Sequence, residues 1–512
     1  MHACVLTIIS AMTAALTAAL TTPLIDPDAA YQALSARDAR FDGHLFVGVT
    51  STHIYCRPIC RVRLPLRKNC RFFETPAQAE AAAFRPCMKC RPEIAPGAGL
   101  PWTVMDASRT LARQAADALD AQAANGEAPG LVPLAQRLGV SDRHLRRIFQ
   151  AEHGVTPLQY LQTRRLLLAK QLLTDTTLPV AQVALASGFN SLRRFNDAFV
   201  ASYRMSPSRL RGDATDDPPL GTGGVTVKLG YRTPFDVAAL LRFIAVRAIP
   251  GIEHVEGRCI RRTLRAGSVA ANAGWIEAEF MVDAPVVRLR FAPTLAAASG
   301  RVVAAARRWL DLDAVPHAID TTLADLPGAA GLRLPGSLDA FELLVRAVLG
   351  QQVTVAGART LARRLVERFG EAADTPWPAI TQTFPAPEAM AVATLDSVTE
   401  LGIIRSRAGA IIGIAQAWGE IAPLLVPRAA PQPLIERLCA LRGIGPWTSH
   451  YIAMRALGWP DAFPPNDVAV LKAMKQLFGT ASQREADVHA RAWQPWRAYA
   501  VLRLWNTLEK TP

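Results

Sequence analysis

The sequence predicts a chain of several domains that is mainly α-helical. The length of 512 residues corresponds to about three or four domains. Helical periodicity extends over residues 103–211 and again from Ser299 onwards, and strand-like alternation lies between these regions. Paired cysteines mark one further small domain near the N-terminus. We therefore expect a small cysteine-rich α+β domain, an all-α domain with two helix-turn-helix units, an antiparallel α+β domain and an all-α domain built around a helical hairpin.

Composition shifts and Pro/Gly-rich stretches place the expected domain boundaries. The predicted segments are an extension at 1–25, a cysteine-rich domain at 26–97, a helix-turn-helix domain at 103–211, a linker at 212–224, an α+β domain at 225–313 and a helical domain at 314–512. The first 25 residues contain no Lys or Arg, so they lack the basic region of a signal peptide. We interpret them as a disordered or loosely helical extension, with Met12 as an alternative initiator.

The charge of the chain indicates the class of partner. Lys and Arg number 57 against 43 Asp and Glu, which gives a net charge of +14. A basic chain of this size favours a polyanionic partner, first of all nucleic acid. A membrane surface is the weaker alternative because the charge is spread over the whole chain. No segment after residue 25 is apolar enough to span a bilayer, so no membrane partner is expected. The cysteines outside the two pairs are scattered, which argues against a disulfide framework and favours the cytosol.

Four cysteines form two pairs with metal-ligand spacing. Cys56 and Cys60 are a Cys-x3-Cys pair, and Cys87 and Cys90 are a Cys-x2-Cys pair beyond residues 61–86. Four thiolates at this spacing can surround Zn²⁺ tetrahedrally. Two disulfides in a secreted module are the alternative, which the absence of a basic signal region makes weaker. Cys70 lies outside the pairs and is interpreted as a packing residue.

Two similar helix-turn-helix patterns follow. In each, a short helix leads into a Gly-containing turn, and Ser141 or Ser191 then caps a second helix. Residues near the start of such a second helix meet base edges in the major groove. The candidate DNA contacts are Arg143, His144, Arg147, Arg193, Arg194 and Asn196. The alternative for each of these residues is an ordinary solvated basic helix face.

Residues 225–291 alternate apolar and polar side chains in several stretches, with a helix predicted from Pro234 to Ala248. This pattern predicts an antiparallel sheet with helices on one face. The sequence assigns no chemistry to this domain, so its role is expected to be structural.

The helical domain contains a glycine turn followed by a stiff, acidic loop. A helix over Leu434 to Leu441 runs into Gly443-Ile-Gly445, and a second helix begins near Pro446. Backbone N–H groups of such a turn can hold a DNA phosphate. Asp467 ends the loop Phe463-Pro-Pro-Asn-Asp. The alternatives are an ordinary helix–helix turn and a helix-capping aspartate.

Aromatic residues recur on the helices that flank this loop: Trp447, Tyr451, Tyr499 and Trp505. Aromatic faces attract cations, so these side chains are candidates for binding a cationic ligand. Packing in the core is the alternative for each of them.

The cysteine and helix-turn-helix patterns resemble known families. Tyr55-Cys-Arg-Pro-x-Cys60-Arg61 and Phe84-Arg-Pro-Cys87-x-x-Cys90 resemble the N-terminal domain of the Ada family. This resemblance implies a zinc site at which Cys56 accepts a methyl group from a methylphosphotriester in DNA. The two helix-turn-helix units and the tail beginning at Met205 resemble the AraC-type DNA-binding domain. The Pro-Cys-His-Arg motif of a second Ada methyltransferase domain is absent, so no O6-alkylguanine repair is expected.

The glycine turn with Asp467 resembles the helix-hairpin-helix DNA glycosylases, and most of all the AlkA family. Residues 225–313 also resemble the N-terminal domain of that family. The resemblance implies that Asp467 is the catalytic carboxylate and that Gly443 and Gly445 bind DNA. It implies a base pocket formed by Trp447, Tyr451 and Trp505, and a wedge residue at Gln352, where the AlkA family has an apolar residue. Trp447 also occupies the position of the lysine of related lyases, which implies a monofunctional glycosylase.

The expected protein is therefore a DNA-3-methyladenine glycosylase fused to a methyl-sensing zinc domain and a transcription-regulator module. Zn²⁺ is the expected cofactor of the first domain, and none is expected for the glycosylase reaction. The expected partners are alkylated and promoter double-stranded DNA and RNA polymerase, at the nucleoid. The alternative is a transcriptional regulator whose glycosylase-like half is a catalytically inactive DNA clamp.

Overall fold

A computed structural model of the chain describes residues 25–97, 107–126, 130–212, 223–265, 273–426, 429–480 and 482–508. The predicted extension before Ile25 and residues 213–222 of the predicted linker lie outside the described residues. The chain divides into two compact units, with the boundary between Arg91 and Pro92. Among the described helices, none is both long and apolar enough to cross a membrane.

The first unit is a small four-stranded sheet flanked by short helices. Its elements are α1 (Pro27–Ser35), β1 (Phe46–Val49), β2 (Ile54–Cys56), β3 (Cys70–Phe73), α2 (Pro76–Ala81) and β4 (Arg85–Pro86). The sheet order is β3-β1-β2-β4, antiparallel except for the parallel pair β2 and β4. This pairing places the end of β2 beside the end of β4, where the two pairs of cysteines lie.

The second unit begins with a short 3-10 turn, Pro92–Ile94, and a helical region. Its helices are α3 (Ala107–Asn125), α4 (Leu131–Arg137), α5 (Asp142–His153), α6 (Pro157–Asp175), α7 (Val180–Ala186), α8 (Leu192–Tyr203) and α9 (Pro207–Gly212). Both helix-turn-helix units are present, and the Ser141 and Ser191 hydroxyls accept hydrogen bonds from the backbone of α5 and α8. The long helix α6 separates the two helix-turn-helix units.

An antiparallel five-stranded sheet follows. Its elements are β5 (Val225–Gly230), α10 (Val237–Arg247), β6 (Glu253–Glu256), β7 (Cys259–Arg265), β8 (Ala273–Phe280), β9 (Val286–Phe291) and α11 (Ser299–Trp309). The strand order is β5-β9-β8-β7-β6, with every pairing antiparallel. Alternate side chains of the strands are buried, as expected for a sheet with one covered face.

The rest of the chain is helical. The helices are α12 (Pro316–Thr322), α13 (Ala340–Leu349), α14 (Val355–Phe369), α15 (Pro387–Ala391), α16 (Leu395–Thr399), α17 (Arg405–Gln416), α18 (Trp418–Ile421), α19 (Gln432–Cys439), α20 (Pro446–Ile452), α21 (Val468–Phe478), α22 (Gln483–His489) and α23 (Arg497–Leu508). After Ile452 the helix widens into one π-helical turn, Ala453–Leu457. The predicted fold class is confirmed in all of its parts.

Candidate active site and metal centre

The four paired cysteines form one cluster in the first unit. The sulfur atoms of Cys56, Cys60, Cys87 and Cys90 all lie within 4.8 Å of one another. Four sulfurs at about 2.3 Å from a tetrahedral zinc ion are separated by about 3.8 Å, so the cluster has the right size for Zn²⁺. The cysteines are free thiols, and three of them are buried. The donor set and its spacing therefore fit a zinc centre and not the alternative of two disulfides.

Local contacts hold the cysteine loops in place. The backbone N–H of Arg57 donates to the Cys90 sulfur at 3.3 Å, and its guanidinium donates to the Cys90 carbonyl and to buried Asp42. Hydrogen bonding from Cys56 lowers the pKa of the Cys60 thiol to about 7 and also lowers that of Cys87. Cys70 lies apart from the cluster, in the core formed by α1 and β1, as a packing residue would.

The predicted promoter-reading side chains lie at the start of the second helix of each unit. Arg143, Arg147, Arg193 and Arg194 are exposed, whereas His144 and Asn196 are half-buried. Arg147 lies 3.2 Å from the His144 ring nitrogen. The four arginines are therefore accessible to DNA.

The glycine turn lies between α19 and α20. Gly443 has a φ of +89°, a conformation that favours glycine. A Cβ atom on Gly443 would lie 3.0 Å from the Cβ of Ala410, whereas nothing lies within 4 Å of a Cβ placed on Gly445. The side chain of Gln351 supports the turn by donating to the Gly443 carbonyl at 3.1 Å. The backbone at Gly445 is thus open to a ligand.

Asp467 lies at the N-terminus of α21 and is only 5% exposed. Its Oδ1 accepts hydrogen bonds from the Val470 backbone at 2.9 Å and from the Trp505 indole at 3.3 Å. Its Oδ2 accepts a hydrogen bond of 2.7 Å from the Trp447 indole. The side chain is therefore a helix cap and, at the same time, the carboxylate that joins two of the predicted pocket aromatics.

Three of the four predicted aromatics come together here. The Trp447 and Tyr451 rings are stacked, with centroids 5.3 Å apart and an interplanar angle of 8°. The Trp505 ring lies 6.3 Å from that of Tyr451. Together with Asp467 they form an aromatic wall beside a buried carboxylate, which we call the aromatic–carboxylate site.

Tyr499 has different partners. It is 4% exposed, packs edge-on against Trp496, and its hydroxyl donates to the Asp311 carboxylate at 2.8 Å. Burial raises the pKa of Asp311 to about 6. The sequence alone treats Tyr499 like the other aromatics, because its position on α23 does not reveal which side of the helix faces the core.

Gln352 follows the break at the end of α13. It is exposed and has a φ of +54°, so its backbone is held in a left-handed turn. Neighbouring Val353 is also exposed. Two exposed side chains therefore lie at the place where the resemblance implies a wedge.

Arg455 and Phe243 were not among the predicted site residues. The Arg455 guanidinium donates to the Tyr451 hydroxyl at 2.6 Å and lies 5.0 Å from the centre of the Phe243 ring. Burial alone would raise the pKa of Tyr451, but the charges of Arg455 and Arg247 outweigh burial and lower it. Arg455 lies in the π-helical turn, a feature often found at functional sites, and no sequence motif marks it.

Known protein families match successive parts of the chain. The metal binding domain of Ada matches residues 29–93, and a helix-turn-helix domain matches residues 134–213. The AlkA N-terminal domain matches residues 226–339, and the HhH-GPD superfamily of base excision DNA repair proteins matches residues 345–498. Each family resemblance found in the sequence is thereby confirmed.

Similar proteins have the same arrangement of domains or parts of it. A protein of Mycobacterium tuberculosis, described as a probable bifunctional transcriptional activator/DNA repair enzyme AlkA, is 36% identical over 94% of this chain and 97% of its own length. DNA-3-methyladenine glycosylase 2 of Escherichia coli is 33% identical over 54% of this chain and 96% of its own length. The Escherichia coli bifunctional transcriptional activator/DNA repair enzyme Ada is 35% identical over 27% of this chain and 36% of its own length.

The fold and the aromatic–carboxylate site define a DNA glycosylase of the helix-hairpin-helix superfamily joined to an Ada-type zinc-binding domain and a helix-turn-helix module. The similarity that extends over nearly the whole chain identifies a more specific family. The chain belongs to the family of bifunctional transcriptional activators and DNA repair enzymes of the AlkA type.

Proposed function

We propose that the C-terminal half excises N-alkylated purines such as 3-methyladenine from duplex DNA by hydrolysing the N-glycosidic bond. The observation that carries this proposal is the buried Asp467 carboxylate, held by the indole N–H groups of Trp447 and Trp505. A carboxylate beside an aromatic wall suits a cationic base that leaves and a cationic sugar that remains. This arrangement favours an active enzyme over an inactive DNA clamp.

Base capture comes first in the proposed mechanism. A base inside a duplex is out of reach, so the nucleotide must be extruded into a pocket, and the exposed Gln352 side chain would fill the gap. The open backbone at Gly445 would bind a phosphate of the same strand. The Trp447 ring, which stacks on Tyr451 with one face, would then offer its other face to the alkylated, positively charged base.

Bond cleavage then depends on Asp467. The alkylated base is already a good leaving group, so a general acid contributes little. The carboxylate stabilises the positive charge that develops on the sugar as the C–N bond breaks. Asp467 accepts three hydrogen bonds from the protein. A carboxylate has about four acceptor positions, so one remains for the attacking water. We propose that this step requires no cofactor and, because Trp447 replaces a lysine nucleophile, no Schiff base.

The Asp467→Asn variant tests this mechanism. Asparagine preserves the shape and the cap on Val470 but removes the charge, so excision should fall by roughly 10²- to 10⁴-fold while DNA binding survives. The measurement is single-turnover release of 3-methyladenine and 7-methylguanine, alongside a binding titration. Asp487→Asn is the matched control, since Asp487 is exposed on α22. Excision at the wild-type rate by Asp467→Asn would contradict the mechanism, and so would borohydride trapping of the wild-type enzyme on damaged DNA.

We further propose that Cys56 accepts a methyl group from a methylphosphotriester in DNA. Bound zinc would keep the clustered sulfurs deprotonated and therefore nucleophilic. The Cys56 sulfur attacks the methyl carbon, the bond from that carbon to the phosphate oxygen breaks, and an ordinary phosphodiester leaves. The product is a thioether, so each molecule reacts once.

Cys56→Ser should abolish methyl uptake, measured as the mass gain of the first unit after incubation with methylphosphotriester DNA. Cys70→Ser is the matched control, because Cys70 is a buried cysteine outside the cluster. Methyl uptake by Cys56→Ser at another cysteine would show that the acceptor is misassigned.

The helix-turn-helix module would act at promoters. We propose that the side chains at the start of α5 and α8 bind promoter DNA, and that the protein activates transcription by contacting RNA polymerase at the nucleoid. The Escherichia coli Ada relative, whose name includes transcriptional activation, supports this proposal.

A further inference from the structure

One hydrophobic core extends across the predicted linker. On the N-terminal side it contains apolar side chains of α6, α7 and α8, among them Leu172, Phe195 and Phe199. On the C-terminal side it continues into the sheet and α11, with residues such as Val227 and Val302. The second helix-turn-helix unit and the AlkA-type N-terminal domain therefore bury their apolar surfaces against each other, within one compact unit.

Two helices from the two sides touch without intervening side chains. Gly300 on α11 lies so close to α3 that a Cβ atom there would be 2.5 Å from the Ala124 carbonyl oxygen and 3.0 Å from Leu168. Backbone atoms cannot move away cheaply, so any side chain at Gly300 would force α11 away from α3. This contact is as close as those inside a single domain.

Hydrogen bonds connect α6 to the first strand of the sheet. The Gln171 side chain donates to the Lys228 carbonyl at 2.8 Å, and the Lys228 backbone N–H donates to Asp175 at 3.1 Å. Gln171 is only 4% exposed. The backbone N–H and carbonyl of Lys228, on the edge strand β5, thereby find hydrogen-bond partners in side chains of the other domain.

A short segment before α3 binds both sides. Glu93 forms a fully buried ion pair of 2.6 Å with Lys170 on α6. Four residues later, the Gly97 N–H donates to Asp313 and its carbonyl accepts a hydrogen bond from Arg232. A charge pair excluded from water needs a fixed geometry, so this segment fixes the two domains to each other. We call residues 93–97 the clasp.

The interface leaves the recognition residues accessible. Arg193 and Arg194 at the start of α8 remain exposed, although Phe195 of the same helix lies in the shared core. The surface that joins the two domains is therefore distinct from the surface offered to DNA.

From these contacts we infer that the helix-turn-helix module and the glycosylase are permanently docked, through an obligate interface between residues 92–212 and residues 223–313 of the same chain. The partner of this surface is the other half of the chain, held by apolar burial, the Gly300 contact and the clasp. Regulation and repair are consequently performed by two domains that stay packed against each other. The inference is independent of the chemistry proposed for either half.

Cutting the connection tests the inference in the full-length protein. A recognition site for a specific protease is inserted within residues 213–222, the purified protein is cut to completion, and the products are separated by size exclusion at micromolar concentration without denaturant. We expect the two fragments to elute together and to retain 3-methyladenine excision. Elution as two separate species would overturn the inference, whether or not the C-terminal fragment still excises the base.

Variants of the interface sharpen this result. In the cut protein, Gly300→Leu should release the fragments from each other. Gly413→Leu is the matched control, because a Cβ atom at this helical glycine meets nothing within 4 Å. Gln171→Leu is milder and should raise the dissociation constant roughly tenfold, the effect of losing one hydrogen bond. Separation caused equally by Gly413→Leu, or unchanged affinity in both Gly300→Leu and Gln171→Leu, would contradict the assigned interface.

Discussion

Asp467 combines two roles that the sequence presents as alternatives. Its Oδ1 caps α21 through Val470, while its Oδ2 is free of that cap and binds the Trp447 indole. Capping holds the carboxylate rigidly at a helix N-terminus, where the helix dipole favours a negative charge. A rigid, ionised carboxylate is what charge stabilisation on a sugar requires. The structural role and the proposed catalytic role therefore support each other.

Tyr499 is grouped by the sequence with the pocket aromatics, but its contacts lie in the core. Its hydroxyl donates to buried Asp311, so we propose that Tyr499 stabilises the core. Tyr499→Phe should lower the free energy of unfolding by about 1.5–3 kcal/mol, the range for a hydrogen bond to a charged group. Single-turnover excision should remain near the wild-type rate. Denaturant unfolding and base release check this prediction.

Trp505→Phe provides the comparison, because Trp505 donates to Asp467. It should reduce excision more than it reduces stability. The reverse pattern, with Tyr499→Phe losing excision at unchanged stability, would return Tyr499 to the pocket.

At the scale of the element, the two glycines of the turn between α19 and α20 have different roles. Gly443 is required by its positive φ and by its contact with Ala410, whereas Gly445 adopts an extended conformation in open space. The first glycine therefore serves the fold of the hairpin. The second leaves room for something outside the protein, which we propose is a DNA phosphate.

The two alanine variants should therefore behave differently. Gly443→Ala should destabilise the protein by about 1–2 kcal/mol, because the left-handed backbone is strained by a Cβ atom. Gly445→Ala should leave stability unchanged and weaken binding to duplex DNA roughly tenfold, since the new methyl group keeps a phosphate from the N–H groups. Thermal unfolding and a DNA titration measure the two effects. Unchanged DNA affinity in Gly445→Ala would show that this turn does not approach the phosphate backbone.

The π-helical turn after α20 is a further element-scale feature. Arg455 lies in this turn, four residues after Tyr451 and so on the same side of the helix. The guanidinium then reaches both the Tyr451 hydroxyl and the carbonyl of Pro335. This ties the aromatic wall to the loop before α13.

At the scale of the whole molecule, the two compact units should differ in their dependence on metal. The first unit is small, and its paired cysteines lie at the ends of β2 and β4, so we expect bound zinc to supply much of its folding free energy. Removing zinc with a chelator should unfold this unit, and Cys87→Ser should do the same. Excision of 3-methyladenine should persist, because its residues lie in the other unit.

Zinc content and limited proteolysis before and after chelation check this prediction, with Cys259→Ser as the control because Cys259 lies outside the cluster. A first unit that remains fully folded without zinc would contradict it. Loss of excision on chelation would instead show that the glycosylase reaction depends on metal.

The sequence by itself determined the fold class, and it singled out the four candidate zinc ligands and Asp467 as the candidate catalytic carboxylate. These features depend on residue types at short, defined spacings, such as Cys-x3-Cys or a capped helix after a glycine turn, and such signals are local. The serines that cap α5 and α8 were predictable for the same reason.

Only the tertiary structure decided which aromatics surround Asp467 and how the domains are joined. Trp505 reaches Asp467 while Tyr499, on the same helix, binds Asp311, because the direction of each side chain depends on what packs against α23. The contact of Arg455 with the Gly336 carbonyl and that of Gly300 with Ala124 belong to no sequence motif, because the partners are distant in sequence. The composition of residues 212–224 could not predict how the flanking domains pack, because burial between two domains depends on the complementarity of their folded surfaces.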